Sequence, residues 1–276
     1  MKTIIVATDF SPSAINAMNY AADMAIDIGA AIHLLHVYQL PMVLTDTPVF
    51  MMSVDELKAG AIEQLEKTKQ GLEHVTSGKV PISSEAVMGD VVDEIMAACD
   101  KHKPFAVIMG AVGHNALERS LFGSSTLLAF RHANAPVFAI PTGKEYGKGI
   151  RKIGLAVDLH DDDGTPGELI KDMVHTLKAE LHILNVDDDN EDISPEISRA
   201  SSKLSQTLEG IPLHFHFLDD DDIEESINDF AVENNLDLVI VLPKKHTLFD
   251  GFFKKSNTKE ILFHTSIPVA GIRSIQ

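Results

Sequence analysis

Tryptophan is absent from this 276-residue chain, tyrosine occurs 3 times and cysteine once. Without these rings, the aromatic platforms on which single-stranded nucleic acids stack are not supplied. The lone Cys99 excludes an intramolecular disulfide and points to a reducing compartment. Basic side chains are scarce too: 23 Lys and Arg face 41 Asp and Glu, a net charge of -18. That balance argues against nucleic acid, whose phosphates need a Lys/Arg surface, and against an anionic membrane face. No apolar run approaches the roughly 18–20 residues of a membrane span. The opening MKTIIVATDF meets Asp9 too soon for the apolar core of a signal peptide. A cytoplasmic protein is the expectation.

What is present is ordinary for a globular chain: 45% hydrophobic residues in a length near two domains. The acid is unevenly shared. Residues 1–149 carry 11 basic and 16 acidic side chains, whereas 150–276 carry 12 and 25, so the excess belongs mainly to the second half.

Short β-branched runs alternate with helical stretches. Lys2–Ala7 reads as a strand, and a helix follows from Ser11 to Ile28, with Ser11 as N-cap and Pro12 in the first turn. Ala31–Val37 is the next strand, then a helix over about Ser53–Thr76. A strand at Val80–Val87 precedes a helix at Val91–His102. The half closes with strand Phe105–Met109, helix Thr126–His132 and strand Pro136–Ile140. Such alternation predicts right-handed crossovers and a parallel sheet covered on both faces.

The second half repeats the order. Lys152–Val157, Leu181–Val186, Leu213–Leu218 and Leu238–Leu242 take the places of the first four strands, and Asp158 takes that of Asp9. His132-Ala-Asn-Ala-Pro136-Val137 returns 132 residues later as His264-Thr-Ser-Ile-Pro268-Val269. A repeat this long predicts duplicated domains, 1–141 and 150–276, joined by the Gly-rich stretch Thr142–Gly149. The fold expected is α/β, two tandem open five-stranded parallel-sheet domains.

The best chemistry lies after the fourth strand. Met109-Gly110-Ala-Val-Gly113-His114 is followed by Gly123-Ser124-Ser125-Thr126, a G-x2-G-x9-G-S-S spacing. Glycines let backbone amides approach a ligand, and Gly123, Ser124 and Ser125 at a helix start offer free amides and hydroxyls to an anion. The bland alternative is a simple cap. The pattern is neither Walker A nor the dinucleotide G-x-G-x-x-G.

VATDFS, LLHV, IMGAVGHNALERSLFGSS and HANAPVFAIP together resemble the universal stress protein family, in a tandem form spanning nearly the whole chain. The resemblance implies an adenine nucleotide alpha hydrolase-like (Rossmann-like) fold, with the two final strands meeting in an intramolecular pseudo-dimer. It also implies ATP or another adenine nucleotide, with or without Mg²⁺, in the first half, and a regulatory role in stress response. Ala7, Thr8 and Asp9 would then face adenine or ribose, and Val37 the adenine edge. Met109 would pack near the ribose, while Gly110, Gly113, His114, Gly123, Ser124 and Ser125 hold phosphates. Asp9 has a structural alternative as N-cap of the Ser11–Ile28 helix, and Arg119 in the loop reads as a solvated side chain.

In the second half Leu242, Lys245 and Lys255 stand where the first has Gly110, Gly113 and Gly123, so that loop is expected to be degenerate. Asp161–Asp163, Asp187–Asp189 and Asp219–Asp222 follow its first three strands and face Lys244, Lys245, Lys254 and Lys255 across one sheet edge. Partial mutual neutralisation and plain solvated loops are both consistent with that pattern. The 13 histidines show no zinc spacing, G-x-S-x-G is missing, Cys99 reads as a packed thiol and Met51-Met52 as a packed loop. No catalytic residue and no metal ligand set is assigned. The alternatives to a nucleotide-binding protein are a scaffold that binds none and a slow ATPase. Its state is expected to be a monomeric pseudo-dimer or a homodimer, with an unnamed protein partner.

Overall fold

The computed structural model describes residues 1–39, 53–111, 123–159, 164–187, 195–219, 223–243 and 267–273. In the first half these form β1 (Thr3–Ala7), α1 (Pro12–Ile28), β2 (Ala31–Tyr38), α2 (Val54–Val75) and β3 (Ile82–Met88). There follow α3 (Val91–His102), β4 (Ala106–Gly110), α4 (Ser124–His132) and β5 (Val137–Ile140). The second half contributes β6 (Lys152–Val157), α5 (Gly167–Leu177), β7 (Glu180–Asp187) and α6 (Pro195–Thr207). It ends with β8 (Leu213–Asp219), α7 (Ile223–Glu233), β9 (Leu238–Val241) and β10 (Val269–Gly271).

Local chemistry explains the helix ends. Ser11 caps α1 by accepting from the Ala14 amide at 3.2 Å, with Pro12 in the first turn and Gly29 closing it in the left-handed region. Ser53 and Glu56 form a reciprocal capping box on α2, and Asp90 accepts from Val92 and Asp93 to start α3.

The strands form one sheet in the order β3-β2-β1-β4-β5-β10-β9-β6-β7-β8. Pairing is parallel within each half. The seam is antiparallel, with Val137, Phe138 and Ala139 opposite Gly271, Ala270 and Val269. The two five-stranded sheets continue as one through their final strands, the meeting that the resemblance implied. Buried side chains alternate across it: Ile4, Val6, Phe138 and Ile140 pack on the face covered by α1, and Ile5, Ala7, Val137 and Ala139 on the face covered by α3 and α4. Burial on both faces is why these strands read as continuous apolar runs.

Both cores cross the seam. Ile153, Met173 and Ile240 belong to the same cluster as Ile4 and Met24, while Phe130 of α4 lies against Gly271 of β10. The Thr142–Gly149 stretch, read as a linker, is anchored on α1. Asn16 donates to the carbonyls of Pro141 and Lys144 at 3.1 Å each. Tyr146 is buried, meets Tyr20 edge-on at 5.1 Å and donates to Asp27 at 2.8 Å. Asp27 also pairs with Arg151 at 3.2 Å.

A Cβ at Gly271 would stand 2.5 Å from Cγ of Phe130. Gly271→Val is therefore expected to destabilise the chain by about 1–3 kcal/mol, the usual cost of overpacking a filled core. Urea unfolding followed by circular dichroism measures this. A variant as stable as the parent would show that the seam yields freely.

Candidate functional site

In each half the strand order reverses between the first and fourth strands, β1 beside β4 and β6 beside β9. Chains leaving neighbouring strands in opposite directions open a crevice at the carboxyl edge. In the first half that crevice lies between the ends of β1 and β4, which pair through Ile4–Val6 and Ala106–Ile108.

The β1–α1 connection is held by its own side chains. Thr8 is buried, and its amide continues the ladder to Leu35 O at 2.9 Å. Its Oγ1 accepts from the Phe10 amide at 3.0 Å, and its carbonyl accepts from His36 Nδ1 at 2.8 Å. Phe10 occupies the left-handed region at φ 62°, with its ring 4.4 Å from that of His36. Asp9 is exposed, and its Oδ1 accepts from the Ser11 amide at 3.0 Å. The N-cap of α1 is Ser11, so the alternative reading of Asp9 as the cap is corrected. Asp9 instead closes an Asx turn one step earlier.

On the β4 side, Met109 is buried and Gly110 half-buried. A Cβ on Gly110 would lie 2.5 Å from Ser13 Oγ and 2.8 Å from the Ser13 carbonyl carbon. The first turn of α1 therefore requires glycine here, a packing reason that the loop spacing did not disclose. Thr126 Oγ1 donates to Gly110 O at 3.2 Å, and the Gly123 amide donates to Ala111 O at 2.8 Å. These two bonds fasten the start of α4 to the end of β4.

Gly123 is the N-cap of α4 and supplies no side-chain hydrogen bond to the first turn. The amides of a first helical turn lack intrahelical partners, and the helix dipole adds positive potential there. Ser124 is exposed and Ser125 half-exposed at this end. The structure thus brings Ala7, Thr8, Asp9, Met109, Gly110, Gly123, Ser124 and Ser125 to one edge. Val37, half-buried near the end of β2, adjoins His36 on that edge. Gly113, His114, Arg119 and Met51-Met52 lie outside the described residues. An exposed carboxylate beside an uncapped helix start can accept from hydroxyl or amino groups while amides receive an anion.

The second half reuses the frame with other side chains. Asn185 is 149 residues after His36, as Asp158 is after Asp9, and its Oδ1 accepts from the Leu159 amide at 3.0 Å. The tie between first loop and second strand persists with donor and acceptor exchanged. Leu242 stands in the place of Gly110 and packs against the core on the α1 and α5 face. Asp187 ends β7 and Asp219 ends β8. Asp161–Asp163, Asp188-Asp189, Asp220–Asp222, Lys244, Lys245, Lys254 and Lys255 lie outside the described residues.

Among other reactive groups, Cys99 is buried in α3, and burial pushes its thiol up to about 11. Burial, then the adjacent His102 ring, holds His33 below the usual histidine range. Burial and the hydrogen bond to Asp27 raise the Tyr146 phenol, which keeps its proton.

Two open parallel sheets with crevices at their switch points, fused through their last strands, define a tandem α/β protein of the Rossmann-like class. The chain belongs to the Universal stress protein family, whose model matches residues 1–141 and again 149–273. It is 28% identical over 146 residues to a universal stress protein of Methanocaldococcus jannaschii, covering 52% of this chain and 84% of that one. The solved universal stress protein from Archaeoglobus fulgidus DSM 4304 superposes with a TM-score of 0.71 at 20% identity, covering 99% of this chain and 96% of that one. A solved structure from Pseudomonas aeruginosa UCBPP-PA14 gives 0.60 at 16% identity, covering 99% and 94%. Both structural likenesses span the two halves together.

Two outcomes follow from the packing. Gly110→Ala should lose about 1–3 kcal/mol of stability without any ligand, because the clash is with α1 backbone. Chemical denaturation reads this, and an unchanged midpoint would remove the packing role. Cys99 should resist a thiol reagent at pH 8 in the folded chain, since little thiolate forms there, and react at once in denaturant. Rapid native labelling would contradict the burial.

Proposed function

We propose that the first half binds an adenine nucleotide, ATP foremost, with or without Mg²⁺, at the carboxyl edge between β1 and β4. The observation that carries this reading is the start of α4: a glycine N-cap without a side-chain bond, fastened beside the switch-point crevice. In this reading the amides of Ser124 and Ser125, with Gly110, Gly113, Gly123 and His114, take the phosphates. Asp9 accepts from a ribose hydroxyl beside Ala7, Thr8 and Met109, and Val37 offers backbone groups to the adenine edge. Membership of the universal stress protein family supports the assignment.

The units assigned are residues 1–141 and 150–276, and only the first is given a nucleotide. Leu242 in the place of Gly110 supports a second unit retained for structure, because its side chain packs into the core where the first half brings α1 against a bare glycine. The role is regulatory: occupancy at the α4 start biases the conformation of the loop between Gly113 and Gly123 and so a surface offered to a protein partner.

Gly123→Asp isolates the anion site from the fold. Aspartate is a good N-cap, so the variant should keep or gain stability. Its carboxylate would occupy the free amides and repel phosphate, and ATP affinity should fall by at least about tenfold, the factor for each 1.4 kcal/mol. Calorimetric titration of the full chain with ATP, alongside mass analysis of any nucleotide released by denaturant, measures both. Unchanged ATP affinity in the variant, or no binding by the parent, would defeat the assignment. Time-dependent ADP release with Mg²⁺ would add hydrolysis to binding.

A further inference from the structure

Away from this edge, three side chains from three elements converge: His33 on β2, Glu85 on β3 and His102, the last residue of α3. One ligand atom of each lies within 4.8 Å of the others, the only such group among the described residues. Because α3 runs back from the carboxyl edge, its end lies toward the opposite edge from the proposed nucleotide.

The hydrogen bonds of His33 leave its inner nitrogen facing the other two side chains. His33 is 4% exposed, and its Nδ1 lies 2.9 Å from Ser83 Oγ. Ser83 Oγ donates to Ile32 O at 3.5 Å, so it accepts from His33 Nδ1. The proton of the neutral ring is then on Nδ1, and Nε2 carries a lone pair. That Nε2 is buried without a hydrogen-bond partner, as is His102 Nε2. Yet His33 Nε2 is 3.5 Å from Glu85 Oε2, and the two imidazole rings lie 4.2 Å apart at 30°. The lone pair of His33 Nε2 faces the Glu85 carboxylate oxygen, and a cation between them, with His102 Nε2 free to join it, would turn that repulsion into binding.

We propose that His33, Glu85 and His102 bind a divalent transition-metal cation of the zinc type. Two imidazoles and a carboxylate are a recognised zinc donor set that leaves a fourth position for water. From their present limit of 4.8 Å the ligand atoms must close by up to about 1.4 Å to reach the roughly 3.4 Å separation of tetrahedral ligands bonded at 2.0–2.2 Å. Glu85, with its side chain 40% exposed, can supply part of that movement. Ser83 acts as the outer partner that fixes the His33 tautomer, the usual companion of a metal-bound histidine. The C-terminal end of α3 favours positive charge at His102. Lys101 Nζ, 2.9 Å from Glu85 Oε2, is the competing cation, and it is exposed enough to swing away. The ion would fasten edge strand β3 to β2 and to the end of α3.

The second half has the same first ligand without the rest. His182, 149 residues after His33, has Nδ1 3.0 Å from His216 Nε2, so these two imidazoles satisfy each other. His216 stands in the place of Glu85, and Asn234, bonded to Phe230 O at 2.9 Å, in that of His102. His182 Nε2 is likewise unpartnered, 3.9 Å from Glu180 Oε2, but no helix-end histidine joins it, and among the described residues only the first half gathers three such groups.

The test uses the full untagged chain, stripped with chelator, titrated with Co²⁺ by visible absorption and with Zn²⁺ by calorimetry. One equivalent should bind at a site giving cobalt d–d bands, with a rise in melting temperature. Glu85→Gln and His102→Gln should each weaken that site at least about tenfold with unchanged circular dichroism, and Ser83→Ala by about tenfold through the lost tautomer bond. Lys101→Ala should tighten it, and His182→Gln should leave it as it is. No saturable binding by the parent overturns the proposal. So does binding that survives in both Glu85→Gln and His102→Gln, or that is lost only in His182→Gln.

Discussion

Three residue pairs between β5 and β10 set the arrangement of everything else. Each half alone would end in a short final strand with one unpaired edge, and exposed edges invite uncontrolled pairing. Antiparallel pairing of Val137–Ala139 with Val269–Gly271 removes both edges at once and lets two parallel sheets continue as one. With the seam in place, α1 and α5 share one covered face and α3 and α4 belong to the other, so the two cores cross the middle of the molecule. Phe130 against Gly271 is a direct consequence of that junction.

The seam also directs the crevices outward along the sheet. Because β1 pairs with β4 and β6 with β9, each half keeps its own reversal of strand order. The first has a glycine where α1 must pass close to β4 and a second glycine where α4 begins. The second has Leu242 at the first of these places, and its side chain goes to the core. Duplication thus preserved the frame, down to the tie between the first loop and the second strand. His36 makes it as donor and Asn185 as acceptor.

Much of this was legible from the chain. Ser11 was legible as the cap of α1, and the helix starts read at about Ser53 and at Val91 lie within a residue of those observed, because capping acts through neighbours in sequence. The 132-residue recurrence of the His-x3-Pro-Val strand start pointed to the duplication, and its two strands are the ones that pair. Gly110 was legible as special but for an incomplete reason. Its glycine is required by Ser13 and Ala14, nearly 100 residues earlier, and no spacing rule carries that contact. Asp9 was read as a cap or a ligand residue, and the turn it closes with Ser11 is local geometry that both readings overlooked. The packed Thr142–Gly149 stretch was read as a linker from its glycines, although Tyr146 was the residue that signalled an anchor.

The sequence by itself determined the elements, their parallel alternation, the duplication and the loss of glycines in the second copy. Those properties depend on side-chain periodicity, caps and comparison of the chain with itself. Only the tertiary structure decided which three residue pairs form the antiparallel seam and that the open start of α4 is fastened to the end of β4. It also decided that His33, Glu85 and His102 meet. These last come from separate elements 52 and 17 residues apart, and what joins them is the parallel register of β2 with β3 and the return path of α3. Proximity of that kind is set by packing between elements, so it leaves no periodic trace along the chain.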